Sequence, residues 1–224
     1  MRIKTIITGA TGMVGEGVLH ECLLHPDVES VLAINRRSCG VRHEKLKEVI
    51  HKDFSDFSSV KKDLIGYNAA FFCMGVSSIG MAEETYRHLT YDLTLALARP
   101  LSKLNPGMTI CYVSGMGTDS SEKGRVMWAR IKGKTENDLM QLPFRSAYMF
   151  RPAFIQPTKG LKNTHWFYRA FTPLFPLMKV LFPGYILNLR EIGLAMINCV
   201  VKGPDKRVLE VRDIAEFARP FPPN

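Results

Sequence analysis

The sequence predicts an α/β fold, a doubly wound parallel sheet with a small C-terminal cap region, all within one domain. Three observations carry that expectation. A strand-like run over residues 2–8 leads into three glycines at three-residue spacing, Gly9, Gly12 and Gly15, and a helical apolar pattern starts at Met13. Strand-length and helix-length apolar runs then alternate as far as residue 154, which is the order of a parallel sheet covered by helices on both faces. A length of 224 residues, 46% hydrophobic and 23% charged, suits a single core of ordinary composition.

The elements follow in order. Residues 2–8 alternate and then run apolar, as a buried strand does. Val14, Val18, Leu19, Cys22 and Leu23 mark a helix to about His25, ended by Pro26-Asp27. A second strand over 28–34 closes at Asn35-Arg36-Arg37, and a third over 46–51 is followed by Asp53-Phe54-Ser55 and a helix through Lys62. A fourth strand, 69–73, ends at Gly75, and 81–101 is a long helix with Pro100 near its end. The fifth strand, 108–113, ends at Ser114-Gly115-Met116-Gly117. Residues 121–142 are helical at least from Arg125 and stop at Pro143, and a sixth strand over 147–150 leads into Arg151-Pro152. Past Phe154, prolines and aromatics crowd 166–185, then come a helix over 189–201, a strand over 208–211 and a helix over 213–218. The stretch 155–224 is too small for an independent domain. It reads as a cap over the cleft, or as helix packing between subunits of a homo-oligomer.

Composition removes several classes. The net charge of +9 suits phosphorylated ligands and raises nucleic acid and acidic membrane as partners. The densest basic stretch, Lys123, Arg125, Arg130, Lys132 and Lys134, is interrupted by apolar residues. It reads as a solvated helix face plus one site lysine, against nucleic-acid binding. Five scattered cysteines without a Cys-x-x-Cys pair point to a reducing, cytoplasmic protein without disulfides. Six histidines form no spaced ligand set, so no metal is expected. The N-terminus reads as the first strand and not as a signal peptide. Residues 166–187 are greasy, but Arg169, Lys179 and three prolines break the run, so it is no transmembrane helix. Contact with a membrane surface through Trp166 to Phe182 is a minor alternative.

The strand–glycine turn–helix unit is an anion site, because bare N–H groups and the helix dipole at a helix N-terminus favour a phosphate. Gly9 allows a sharp turn, Gly12 a close approach of a pyrophosphate, and Gly15 close helix–strand packing. The turn residues Gly9, Thr11, Gly12, Met13, Val14 and Gly15 are therefore the candidate diphosphate-binding set of a dinucleotide site. At the end of the second strand, an acid would bond the ribose 2′-hydroxyl of NAD, whereas arginine accommodates the 2′-phosphate of NADP. This chain has Arg36 and Arg37 and no acid there, so NADP(H) is favoured over NAD(H). Asp53 and Phe54 form a candidate adenine clamp, with an ordinary helix cap as the bland alternative. Cys73 and Gly75 end the fourth strand where the backbone must pass close to a ribose.

In that order, Thr8-Gly9-Ala10-Thr11-Gly12-Met13-Val14-Gly15, Asn35-Arg36-Arg37, Asp53-Phe54, Cys73-Met74-Gly75, Tyr112-Val113-Ser114 and Arg151-Pro152 resemble the extended and atypical short-chain dehydrogenase/reductases. They are most similar to the small NAD(P)H-binding branch of Tat-interacting-protein-like oxidoreductases and nucleoside-diphosphate-sugar epimerase-like proteins. The resemblance implies a Rossmann-type fold with the nicotinamide facing Ser114 and the segment Pro152, Ala153, Phe154 and Ile155. It also implies oxidoreductase or epimerase-like chemistry, with Ser114 orienting a substrate oxygen and Lys132 on the nicotinamide ribose.

One departure stands out. The family's working pair is Tyr-x-x-x-Lys on the helix after the fifth strand. Here Trp128 occupies the tyrosine position four residues before Lys132. An indole N–H donates a hydrogen bond but has no proton that titrates near neutral pH. General acid–base catalysis is typically worth ~100- to 10,000-fold, so the usual hydride route should be impaired. Trp128 reads as a packing residue, as part of a site whose proton donor is Ser114, Tyr86 or Tyr91, or as the result of a slipped helix register in which no residue fills the role. Two functions follow: an altered oxidoreductase, or a non-catalytic NADP(H) sensor that acts through a protein partner. The aromatic segment 166–185 favours an apolar substrate over a sugar nucleotide, whose phosphates and hydroxyls need polar partners.

Overall fold

The long apolar runs of the first 150 residues all become strands of one sheet. The computed structural model describes residues 2–158, 160–161, 163 and 184–220. β1 (Ile3–Thr8), α1 (Met13–Leu24), β2 (Val28–Asn35) and β3 (Leu46–Ile50) open the chain. β4 (Ala69–Phe72), α2 (Glu83–Arg87), α3 (Leu93–Leu104), β5 (Thr109–Val113), α4 (Met127–Gln141) and β6 (Ser146–Arg151) continue it. β7 (Phe154–Gln156), β8 (Ile186–Asn188), α5 (Leu189–Lys202), β9 (Val208–Glu210) and α6 (Val211–Phe217) complete it. Seven strands form one sheet in the order β3-β2-β1-β4-β5-β6-β9, with every neighbouring pair parallel. This is the predicted Rossmann-like α/β fold.

Helices cover both faces, which is why β4 and β5 are buried at every residue and show no polar alternation. Ile3 and Ile7 point to one side, into a core with Val18, Leu19 and Cys22 of α1 and Ile192 and Met196 of α5. Ile6 points to the other, against Leu95 and Leu101 of α3 and Ile131 and Leu139 of α4. α1 and α5 approach closely because two glycines face each other's helix. A Cβ on Gly17 would lie 2.7 Å from the Leu189 Cβ, and one on Gly193 would lie 2.8 Å from the Glu21 Cβ.

Several boundaries differ from the sequence expectation for local reasons. The helix expected through Lys62 is a 3-10 helix, Ser58–Leu64. The long helix of 81–101 contains a π-helical turn at His88–Asp92, between α2 and α3. α4 begins at Met127, because Asp119 first folds the preceding loop. Its carboxylate accepts from the N–H and hydroxyl of Ser121 and from the N–H of Gly124.

The stretch past residue 155, read as a cap, divides. β9 extends the main sheet beside β6, and α5 packs on α1, so both belong to the main layers. Only β7 and β8 form a separate two-stranded sheet, paired Phe154↔Ile186 and Gln156↔Asn188. Three-residue strands are too short to carry a periodic signal. The segment Trp166 to Phe182 lies outside the described residues. Among those that are described, no helix is long and apolar enough to cross a membrane.

Candidate functional site

The strand order reverses between β1 and β4: the chain builds β2 and β3 on one side of β1, and the later strands on the other. A crevice opens outside the carboxyl ends of strands at such a switch point. It is here a cavity of about 580 Å³. Gly12, Met13 and Val14 come from the first turn of α1, and Cys73, Met74 and Gly75 from the end of β4. Val113 ends β5 and Ser114 through Met116 follow it, Lys132 reaches in from α4, and Pro152 through Ile155 close the far side.

The three glycines of the turn have different causes. Gly9 has φ +78°, and a Cβ there would lie 2.7 Å from the carbonyl carbon of Cys73. A Cβ on Gly15 would lie 2.1 Å from the Gly9 carbonyl oxygen. Both are required by the fold itself. Gly12 is not, since its φ of −108° and ψ of 165° suit any residue. The nearest atom to a Cβ there is the Gly9 oxygen at 3.4 Å. Gly12 is the N-cap of α1, no side chain caps it, and it faces the cavity. The bare face is what a phosphate oxygen would occupy.

Of the residues singled out from sequence, Gly12, Met13, Val14, Cys73, Gly75, Ser114, Lys132, Pro152, Phe154 and Ile155 line this one cavity. Gly9, Thr11 and Gly15 shape the turn behind it. Arg36 and Arg37 stand exposed at the carboxyl end of β2, outside the cavity. Asp53 is exposed, and its Oδ1 accepts from the N–H and hydroxyl of Ser55. Phe54 is buried edge-on against Phe57, with ring centroids 5.4 Å apart. That pair therefore makes a turn onto Ser55 and a core contact, and neither residue lines the cavity.

Trp128 does not line the cavity either. It is partly buried against the α3–α4 core, with its ring beside Gly117. The two tyrosines considered as replacement donors point elsewhere. Tyr86 is 2% exposed, and the Tyr91 hydroxyl donates to Asp138 Oδ2 at 2.5 Å.

Ser114 differs from expectation in its partner. Its hydroxyl donates to Glu136 Oε1 at 2.5 Å, away from a substrate oxygen. Glu136 is fully buried and also accepts from Arg151, at Oε1 from Nε (3.1 Å) and at Oε2 from Nη2. Arg151 in turn reaches Ser120 and Glu210. Glu136 lies one helical turn beyond Lys132, and Arg151 ends β6; nothing in their residue types disclosed that they would pair. Lys132 donates through Nζ to the Ser114 carbonyl. Burial pushes its amine down to about 8, with Glu136 pulling the other way. Cys73 is inert as a nucleophile, because burial pushes its thiol up to about 12. Among the described residues no cluster could hold a metal ion.

Residues 5–114 match the model of the NAD dependent epimerase/dehydratase family. A mitochondrial FMP52 protein of Candida glabrata is 26% identical over 213 residues, covering 90% of this chain and 86% of the relative. A mitochondrial fmp52-1 protein of Aspergillus oryzae is 27% identical over 158 residues, covering 68% and 66%. Among solved structures, the Bordetella bronchiseptica enzyme WbmF, in complex with NAD+, superposes with a TM-score of 0.64 at 15% identity, over 96% of this chain and 77% of that one. A short chain dehydrogenase family protein from Francisella tularensis gives 0.61 at 15% identity, over 91% and 93%. Over residues 5–114 the chain is thus similar to the NAD dependent epimerase/dehydratase family, and the solved structures share its Rossmann-like fold.

The relatives' mitochondrial names overturn the expectation of a cytoplasmic protein. All five cysteines are free, and unpaired thiols do not distinguish one reducing compartment from another.

Two outcomes follow from this geometry. Glu136→Ala leaves Arg151 buried without its main partner and should cost ~3–5 kcal/mol in urea unfolding. Ser114→Ala removes one bond to a charged group and should cost ~1–3 kcal/mol. Equal costs would contradict the ranking. Lys132 has its folded pKa at about 8, below the ordinary 10.5, so its buried charge destabilises the fold below pH 8. That cost fades as pH rises towards 10.5. Lys132→Met should therefore raise the Tm most below pH 8, with the gap closing above it; a pH-independent gap would refute the burial effect.

Proposed function

We propose that this chain binds NADP(H) in the cavity between β1 and β4, as an atypical short-chain dehydrogenase/reductase whose oxidoreductase or epimerase-like chemistry is altered by Trp128. The observation that carries the reading is Gly12, a glycine that the fold itself does not need, at an uncapped helix N-terminus facing the cavity. Backbone N–H groups at Met13 and Val14 would hold the diphosphate. Arg36 and Arg37, exposed at the end of β2, would take the 2′-phosphate. Cys73 and Gly75 would lie beside a ribose, and Pro152, Phe154 and Ile155 beside the nicotinamide.

The bound dinucleotide would supply or accept a hydride. Among the described residues, Lys132 is the one charged side chain lining the cavity. Its lowered pKa puts a movable proton near neutral pH. Val113, Met116, Ala153 and Phe154 give the cavity an apolar wall, which suits an apolar substrate better than a sugar nucleotide. The relatives' names support a mitochondrial site of action.

A second reading, a non-catalytic NADP(H) sensor with a protein partner, is favoured by one observation: the Ser114 hydroxyl is committed to Glu136 while Trp128 stands outside the cavity.

Thermal-shift titration separates these claims, because a ligand bound by the native state alone raises Tm by mass action. NADPH should stabilise more than NADH at equal concentration. Equal shifts would remove the role of the two arginines, and no shift the cofactor reading. Trp128→Tyr should raise carbonyl reduction by ~100-fold or more if the site is an altered enzyme. Tight NADPH binding with no turnover in either form would favour the sensor.

A further inference from the structure

The residue next to Arg36 and Arg37 is anchored to an acid that the sequence pattern did not reveal. Glu48 stands on β3 in register with Ala33 of β2, so its side chain shares a face with Asn35 two residues on. Its Oε1 accepts from Asn35 Nδ2 at 2.9 Å and from the Cys39 N–H at 2.7 Å. Its Oε2 accepts from the Ser38 hydroxyl at 2.6 Å, and the same Ser38 oxygen accepts from the Gly40 N–H at 3.1 Å. The chain leaving β2 is thus wrapped around one carboxylate. Arg36 and Arg37 lie between its two anchor points, Asn35 and Ser38. Both are exposed and have no hydrogen-bond or ion-pair partner among the described residues.

We propose that Glu48 is a positioning residue that holds the loop after β2 in the form presenting Arg36 and Arg37 to a 2′-phosphate, and so sets selectivity for NADPH over NADH. This rests on the NADP(H) reading above. A carboxylate near the end of β2 could instead accept the ribose 2′-hydroxyl and favour NADH. The bonding speaks against that role. An ionised carboxylate offers about four acceptor positions, and Glu48 already receives three donors from its own loop. Burial alone would raise its pKa, but the bonds from Ser38, Cys39 and Asn35 bring it below the ordinary value, so it is ionised when it holds the loop. Two arginines beside one spent carboxylate leave the loop net positive, which suits an anion.

Calorimetric titration of the full chain with NADPH and with NADH tests this in wild type, Glu48→Gln, Glu48→Ala and Ser38→Ala. Glu48→Ala should weaken NADPH binding about tenfold, the scale of one charge-assisted hydrogen bond to the 2′-phosphate, while NADH binding changes less than about threefold. Glu48→Gln keeps the shape and an acceptor for Asn35 and Cys39, and its amide can donate to Ser38. It should therefore recover most of the NADPH affinity despite losing the charge. Ser38→Ala, on the exposed loop, should show a smaller loss confined to NADPH, and gives the answer if Glu48→Ala does not fold. Equal weakening of both cofactors, an unchanged ratio, or a Glu48→Gln chain that binds NADPH no better than Glu48→Ala would overturn the proposal. Tighter NADPH binding in either Glu48 variant would assign Glu48 to the ribose instead. A wild type that does not prefer NADPH defeats the NADP(H) reading itself, and is recognised before any variant is compared.

Discussion

The site depends on how closely the first turn of α1 lies against the end of β1. With the Gly9 carbonyl packed where any side chain on residue 15 would stand, the helix starts after only four intervening residues. Its N–H groups then point into the gap between β1 and β4. α5 tightens the same helix from behind, through the contacts at Gly17 and Gly193. The position of the N-terminal end of α1 is therefore set from both sides, and an anion bound there would meet donors that need no rearrangement.

On the opposite wall, α4 is tied down by charge and not by apolar packing alone. Glu136 links Ser114 at the end of β5 to Arg151 at the end of β6, and Arg151 extends the link to Glu210 at the end of β9. Carboxyl ends of three neighbouring strands are thus fixed relative to the helix that carries Lys132. A consequence is functional: the hydroxyl that the family resemblance assigned to a substrate oxygen is used to satisfy a buried carboxylate. With Trp128 turned towards Gly117, the cavity among the described residues keeps the Lys132 amine as its one charged group, beside Ser114, Cys73 and otherwise apolar or backbone walls.

Much of this was legible in the residues because it follows from local constraints. Alternation of strand and helix patterns gave the sheet, and glycine spacing gave the turn. Ten of the singled-out site residues line one cavity, since most sit at the carboxyl ends of β4, β5 and β6 or at the first turn of α1. What escaped were contacts between positions distant in sequence. The pairing of Glu136 with Arg151 spans 15 residues, and that of Glu48 with Asn35 spans 13; neither charge pattern announces a partner. Asp53-Phe54 lies outside that cavity, with Asp53 bonded to Ser55 and Phe54 packed on Phe57, since a turn-forming acid and an adenine contact use the same residue types. The π-helical turn at His88–Asp92 left no mark in the apolar spacing. Compartment was beyond the cysteine count altogether.

Calorimetry with NADPH on wild type and Gly12→Val tests the central claim most directly. Residue 12 has an ordinary backbone conformation and room for a Cβ, so the variant should stay folded, losing about 1 kcal/mol for replacing glycine at the N-cap. Wild type should bind NADPH, and the variant should give no heat, because its side chain fills the space of the phosphate. A folded Gly12→Val protein that binds NADPH as wild type does would show that the dinucleotide does not lie on the glycine turn.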